Sequence, residues 1–180
     1  MFEKALENPL YIGFFGEKFM IRIRPYKAMD ANTILSWCQN EEEFYRWTAG
    51  VLGSYPISQN EFRFVEYLMP FTAFDETGIV GFFTLRKPNE SPDELRFGFV
   101  IIDPDKRGNG YGKEMLKLGL KFAFDLYGAK RVSLGVFEKN LPAYCCYKAV
   151  GFSDVALEID ETYCILGEEW RCKELVIENI

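Results

Sequence analysis

The sequence predicts one mixed α/β domain, on three observations. The middle of the chain reads as β, with "FTAFDETGIVGFFTLR" giving two strands about a turn and "ELRFGFVIID" a third. Apolar residues at helical spacing, Met115, Leu118, Phe122 and Leu126, follow directly after them. The whole chain is 180 residues, 48% hydrophobic and 17% aromatic, which is the size of one ordinary domain with a dense, aromatic-rich interior.

Taken in order, residues 1–19 show no clear period, although Phe2, Tyr11, Phe14, Phe15 and Phe19 mark them as an N-terminal extension packed on a domain of residues 20–180. "FMIRIRPY" alternates at Ile21 and Ile23 as a strand does, and Pro25 ends it. Asp30 offers an N-cap to a helix from Ala31 to Cys38, and a second helix is expected from Glu41 to Trp47. Ser58 and Glu61 have the spacing of a capping box, which predicts a helix running to about Leu68 and stopped by Pro70. Two strands joined by a turn near Glu76 to Gly78 come next, then a third that ends at Pro104. "KPNESPD", Lys87 to Asp93, reads as the hairpin loop between them.

Beyond the turn "RGNGYGK" the apolar stripe gives a helix that Gly128 closes. "RVSLGVF", Arg131 to Phe137, is a strand, and "NLPAYCCYKAV" is a short helix with Asn140 as its cap and Pro142 in its first turn. Two late strands, roughly Phe152 to Ile159 and Trp170 to Ile177, flank "ETYCILGE".

Composition excludes several functions. The 21 Lys and Arg against 27 Asp and Glu leave a net charge of −6, and no basic stripe exists to neutralise nucleic acid. An acidic surface suits a cationic amine, and equally suits simple solubility. Histidine is absent, which removes serine and cysteine triads, His-ligated zinc and any imidazole base. The five cysteines, Cys38, Cys145, Cys146, Cys164 and Cys172, lack scaffold spacing and read as reduced thiols of a cytoplasmic protein. Cys164 and Cys172 are placed to face each other across a hairpin without forming a disulfide. No run approaches the ~20 apolar residues of a membrane span, and the N-terminus lacks a signal-peptide core. The expected protein is soluble, contacts neither membrane nor nucleic acid, and is a monomer or homodimer.

A strand, a glycine turn and a helix together present unpaired amides and the positive end of a helix dipole, the arrangement that receives phosphate. Two known phosphate patterns fail here. The dinucleotide pattern G-x-G-x-x-G meets Lys113 where it requires glycine, and the P-loop meets Arg107 where it requires glycine and Glu114 where it requires Ser or Thr. A third, R-x-x-G-x-G, is met by Arg107, Gly110 and Gly112. In this motif, and in Asn140, Ala143, Tyr147, Gly151 and Phe152 at N-x-x-A-x-x-x-Y-x-x-x-G-F spacing, the chain resembles the GNAT superfamily of N-acetyltransferases. "IRIRPYKAMDANTILSW" and "GNGYGKEMLK" also resemble its ribosomal-protein branch.

The resemblance implies a single mixed, mostly antiparallel, twisted sheet of about seven strands with about four helices. In it the fourth and fifth strands, here "ELRFGFVIID" and "RVSLGVF", splay apart. Acetyl-CoA is the implied co-substrate, with no metal. Its pantetheine arm would lie along Val100, Ile101 and Ile102, and its diphosphate on the turn of Arg107, Gly108, Asn109, Gly110, Tyr111, Gly112 and Lys113, with Asn140 and Ala143 on the facing helix. Tyr147 occupies the general-acid position, and an amide at Val100 or Ile101 the oxyanion position. Glu94 is the candidate base, or else a solvated loop carboxylate beside Asp93. Cys145 and Cys146 read as core rather than as acyl acceptors, for want of a histidine to activate a thiol. "EEEFYRW", Glu41 to Trp47, lies where the superfamily shapes its acceptor pocket. The expected reaction is direct acetyl transfer to a primary amine in a ternary complex, the acceptor being a small molecule or a protein N-terminus. The alternative is an inactive coenzyme A binding module.

Overall fold

In the computed structural model, residues 13–16, 19–64, 67–88, 91–156 and 161–179 are described. The first strands are β1 (Gly13–Gly16) and β2 (Phe19–Pro25), followed by helices α1 (Ala31–Ser36) and α2 (Glu41–Thr48). The meander β3 (Met69–Asp75), β4 (Gly78–Arg86) and β5 (Glu94–Ile102) leads into α3 (Tyr111–Lys121), which continues through a π-helical turn to Leu126. Then come β6 (Arg131–Phe137), α4 (Leu141–Val150), β7 (Ser153–Asp154), β8 (Glu161–Ile165) and β9 (Glu168–Glu178).

One sheet carries all of these strands in the order β1-β2-β3-β4-β5-β6-β9-β7, with β8 paired to β9. Every pairing is antiparallel except β5 with β6. In β4 six successive residues, Val80 to Leu85, are buried, since both faces of the sheet are covered there. Phe83 and Leu85 enter the core beneath α3 and α4, while Phe82 enters the aromatic core beneath α1 and α2. Gly119 lets α3 settle directly on β5, because a Cβ at that position would stand 2.6 Å from the Phe97 ring.

Several elements differ from the sequence-based expectation. The capping-box contacts of Ser58 form, with Ser58 N donating to Glu61 Oε2 at 2.8 Å, yet they close only a turn. Phe62 and Phe64 explain this, because their rings, 4.8 Å apart, both pack against Tyr26 and Phe82. Two residues spaced by two reach one surface from extended chain and not from a helix. Asp30 donates no cap to α1. Its buried carboxylate accepts from Arg24 at 2.7 and 2.8 Å, from Lys27 N and from Thr72 Oγ1, and so ties α1 to β2 and β3.

At the C-terminal end, "ETYCI" is itself a strand in a hairpin with β9, whereas the strand expected from Phe152 is only Ser153–Asp154, and residues 157–159 of it lie outside the described residues. Cys172 pairs with Glu161 and Cys164 with Glu169, so the two thiols do not face each other, and all five cysteines are free. Of the N-terminal extension, Gly13–Gly16 pair with β2, while residues 1–12, 17 and 18 lie outside the described residues. No helix among the described residues is long and apolar enough to cross a membrane.

Candidate active site

The parallel pair β5 and β6 is joined at only three positions, Glu94 with Arg131, Leu95 with Val132 and Arg96 with Ser133. Beyond Arg96 the strands diverge. A bulge produces the divergence: Phe82 pairs with Ile101 and Thr84 with Gly98, so Phe99 and Val100 together oppose Phe83 alone. Phe99 adopts a φ of +48°, a conformation rare for an aromatic residue, and such an inserted residue breaks the ladder and bends the strand. The half of β5 from Phe97 to Ile102 therefore offers one edge to the cleft between the strands.

At the end of that cleft stands the glycine turn. Pro104–Lys106 form a single 3₁₀ turn capped by Asp103, after which Gly108 and Gly110 take φ values of +75° and +91°. These left-handed angles are what glycine permits at little cost. The first backbone bond of α3 runs from Glu114 N to Gly110 O at 3.2 Å, and among the described residues no main-chain acceptor takes the amides of Gly108, Gly110, Gly112 or Lys113. Gly112 and Lys113 belong to the first turn of α3, where unpaired amides stabilise an anion, and Gly108 and Gly110 lie directly before it.

Cleft and turn open into one cavity of about 560 Å³. Val100, Ile101 and Ile102 line its β5 wall, Arg107, Gly108, Gly110, Gly112 and Lys113 its turn, and Asn140, Ala143 and Tyr147 its α4 wall. Asn140 caps α4, its side chain accepting from Ala143 N at 3.4 Å. Tyr147 is 6% exposed, and burial, with Cys146 and Cys172 nearby, pushes its phenol well above the ordinary value. Arg107 both lines the cavity and braces the turn, its Nε donating to Ile102 O at 3.1 Å.

Three sequence-predicted residues stand elsewhere. Glu94 lies at the closed end of the β5 and β6 pair, where Ser133 Oγ donates to its Oε1 at 3.0 Å and Arg131 Nε stands 3.8 Å away, and it does not line the cavity. Asn109 turns its amide nitrogen onto Arg107 O at 3.1 Å and stiffens the turn. Tyr111 sends its side chain to the other side of the turn, where the hydroxyl donates to buried Asp75 at 2.8 Å. Burial and that carboxylate push the Tyr111 phenol up to about 12.

The cysteines of α4 are not core residues alike. Cys145 is exposed and Cys146 half-buried, and both line the cavity. Burial raises the Cys146 thiol, with Lys113 opposing. A Cβ on Gly112 would stand 3.3 Å from Cys146 Sγ, so the small residue also sets the approach of α3 to α4.

Trp37, Cys38, Glu43, Arg46 and Trp47 also line the cavity. Burial pushes the Cys38 thiol up to about 12, with Glu43 adding and Arg107 opposing. Glu43, Arg46 and Trp47 belong to the aromatic, acidic segment singled out in the sequence, whereas Trp37 and Cys38 lie at the end of α1 and carry no motif. Their only signal is apolar bulk immediately before the Asn40 cap of α2.

The Acetyltransferase (GNAT) family model matches residues 22–152, which include the glycine turn, β6 and α4. The chain belongs to the GNAT family. It is an acyltransferase that uses acetyl-CoA, and among the described residues no cluster of metal-binding side chains occurs. A spermine/spermidine N(1)-acetyltransferase of Bacillus subtilis is 30% identical over 114 residues, covering 53% of this GNAT chain and 75% of the relative. A mycothiol acetyltransferase of Salinispora arenicola is 36% identical over 84 residues, 45% of this chain and 27% of that one. Among solved structures, the spermidine N-acetyltransferase of Vibrio cholerae in complex with CoA and spermine superimposes with a TM-score of 0.73 at 19% identity, covering 88% of this chain and 95% of that one. At that identity the likeness is one of GNAT fold.

Proposed function

We propose that this enzyme acetylates a small primary amine of the polyamine class, by direct attack of the amine on acetyl-CoA within a ternary complex. The observation that carries the reading is the single cavity that joins unpaired amides of the turn, the open edge of β5 and the Tyr147 side chain. Spermine and spermidine acetyltransferases among the relatives support the acceptor class over a protein N-terminus.

Acetyl-CoA supplies an activated acetyl group. The amides of Gly108, Gly110, Gly112 and Lys113 hold its diphosphate, with Arg107 and Lys113 adding charge. Val100 to Ile102 take the pantetheine arm as an added strand at the open edge. An amide at Val100 or Ile101 stabilises the oxygen that gains negative charge during attack. Tyr147, a phenol kept protonated by burial, donates its proton to the departing thiolate. Glu43, a carboxylate on the cavity wall whose Oε2 accepts from Gln39 N at 2.9 Å, draws the cationic acceptor and takes a proton from it directly or through water, in place of Glu94.

Thiol release from acetyl-CoA, followed with spermidine, spermine and a panel of other amines, tests this. Turnover with a polyamine is expected. Tight binding of acetyl-CoA with no turnover on any amine overturns the transfer reading and leaves a coenzyme A binding module.

A further inference from the structure

We infer that the tip of the β3–β4 hairpin, acting through Asp75, is the positioning element that holds the diphosphate turn in shape and so sets affinity for the nucleotide half of acetyl-CoA. The inference rests on the proposed reading of that turn.

A turn opened by glycines gains access for its amides and loses rigidity, since glycine has the most conformational freedom to surrender. Arg107 and Asn109 stiffen it from within, and its two flanks are held from outside. The residue at the helix side of the turn is Tyr111, which lies between Gly110 and Gly112, and its hydroxyl donates to Asp75 Oδ2 at 2.8 Å. The residue at the strand side is Lys106, whose Nζ donates to Thr77 Oγ1 at 3.1 Å and stands 3.9 Å from Asp75 Oδ2. Lys106 also lies 5.4 Å above the Tyr111 ring, which closes the clamp on itself.

Asp75 is anchored in turn. Its Oδ1 accepts from Thr77 N at 2.7 Å and from Thr77 Oγ1 at 2.6 Å, within the two-residue reversal between β3 and β4. Asp75 is 6% exposed and its carboxyl is held below the ordinary carboxylate range: burial opposes ionisation, and the Thr77 and Tyr111 hydrogen bonds with Lys106 outweigh it. A buried charge with this many fixed donors has a defined position, and it transmits that position to both ends of the turn. Lys106 offsets its negative charge behind the site that receives an anion.

A clamp of this kind changes binding through preorganisation and leaves the reacting end untouched. The test compares acetyl-CoA with S-acetylpantetheine, which lacks the diphosphate and adenosine. Tyr111→Phe removes one hydroxyl and keeps the buried ring. It is expected to raise KM and Kd for acetyl-CoA about tenfold, with kcat at saturation and all kinetics on S-acetylpantetheine unchanged. Thr77→Val, which loosens Asp75 from the far side, is expected to give the same pattern at roughly threefold, and serves where Tyr111→Phe does not fold. Unchanged acetyl-CoA affinity, or an equal loss with both thioesters, overturns the inference. A wild-type enzyme with no preference between the two thioesters overturns the diphosphate reading of the turn, and the clamp with it.

Discussion

Glu94 and Arg131 face each other in the parallel register of β5 and β6, at the end where the two strands are still joined. Ser133 Oγ donates to the Glu94 carboxylate at 3.0 Å, so this acid is committed to closing the sheet. The strands open only past Arg96, and at about 3.3 Å per residue of strand Val100 stands up to roughly 20 Å from Glu94 along β5.

Glu94→Gln is therefore expected to leave kcat, and the pH dependence of kcat/KM, within about twofold of wild type. Steady-state kinetics between pH 6 and about 9 check this. Loss of the acidic limb of the profile would return Glu94 to the role of base.

Tyr147→Phe is expected to lower kcat by roughly a hundredfold while the Kd of acetyl-CoA changes little, since in the proposed mechanism the hydroxyl acts only on the departing thiolate. Burial raises the Tyr147 phenol, so it stays protonated through the working range and its titration sets no alkaline limb below pH ~10. Equal turnover by wild type and variant would reduce the residue to packing.

The parts of the fold that follow from local periodicity were legible in the sequence: the β3–β4–β5 meander, the apolar stripe of α3, and α4 with its Asn140 cap. The glycine turn was legible too, because an exposed helix N-terminus needs particular residue types. What failed was any inference from a local signal whose partner is remote. The Ser58 and Glu61 box formed its bonds and then yielded to the burial of Phe62 and Phe64 against Tyr26 and Phe82, which are distant in sequence. Glu94 looked available because Arg131 and Ser133 lie some forty residues on, as topology alone brings them together. Tyr111, read with its turn, points away from the cavity for the same reason: Asp75 is on another hairpin.

Cys145 is exposed on the cavity wall, and Cys164 is exposed on β8, outside it. Acetyl-CoA is expected to slow alkylation of Cys145 at least about fivefold and to leave Cys164 unaffected, by mass action on the accessible form. Cys38, pushed up to about 12, is expected to react more slowly than either at pH 8. Peptide mapping after timed alkylation reads all three. Equal protection of Cys145 and Cys164 would contradict the position of the site.

The buried Asp30 carboxylate sets an acid limit on stability. Burial opposes its ionisation, but the hydrogen bonds from Arg24, Lys27 N and Thr72 prevail and hold it below the ordinary range. Its contribution is present above the unfolded value of about 3.9 and is lost as pH falls through the lower folded value. Asp30→Asn is expected to cost about 3 kcal/mol at pH 7, and the gap between variant and wild type should narrow below pH ~3. Urea denaturation at the two pH values measures it, and a gap that does not narrow on acidification would contradict the assignment.

The most direct test of the account is a crystal structure of the enzyme with acetyl-CoA. The account predicts diphosphate oxygens within hydrogen-bonding distance, about 3 Å, of the amides of Gly108, Gly110, Gly112 and Lys113, with the thioester lying between β5 and β6 beside Tyr147. A diphosphate bound away from this turn, or a thioester outside that cleft, would contradict it.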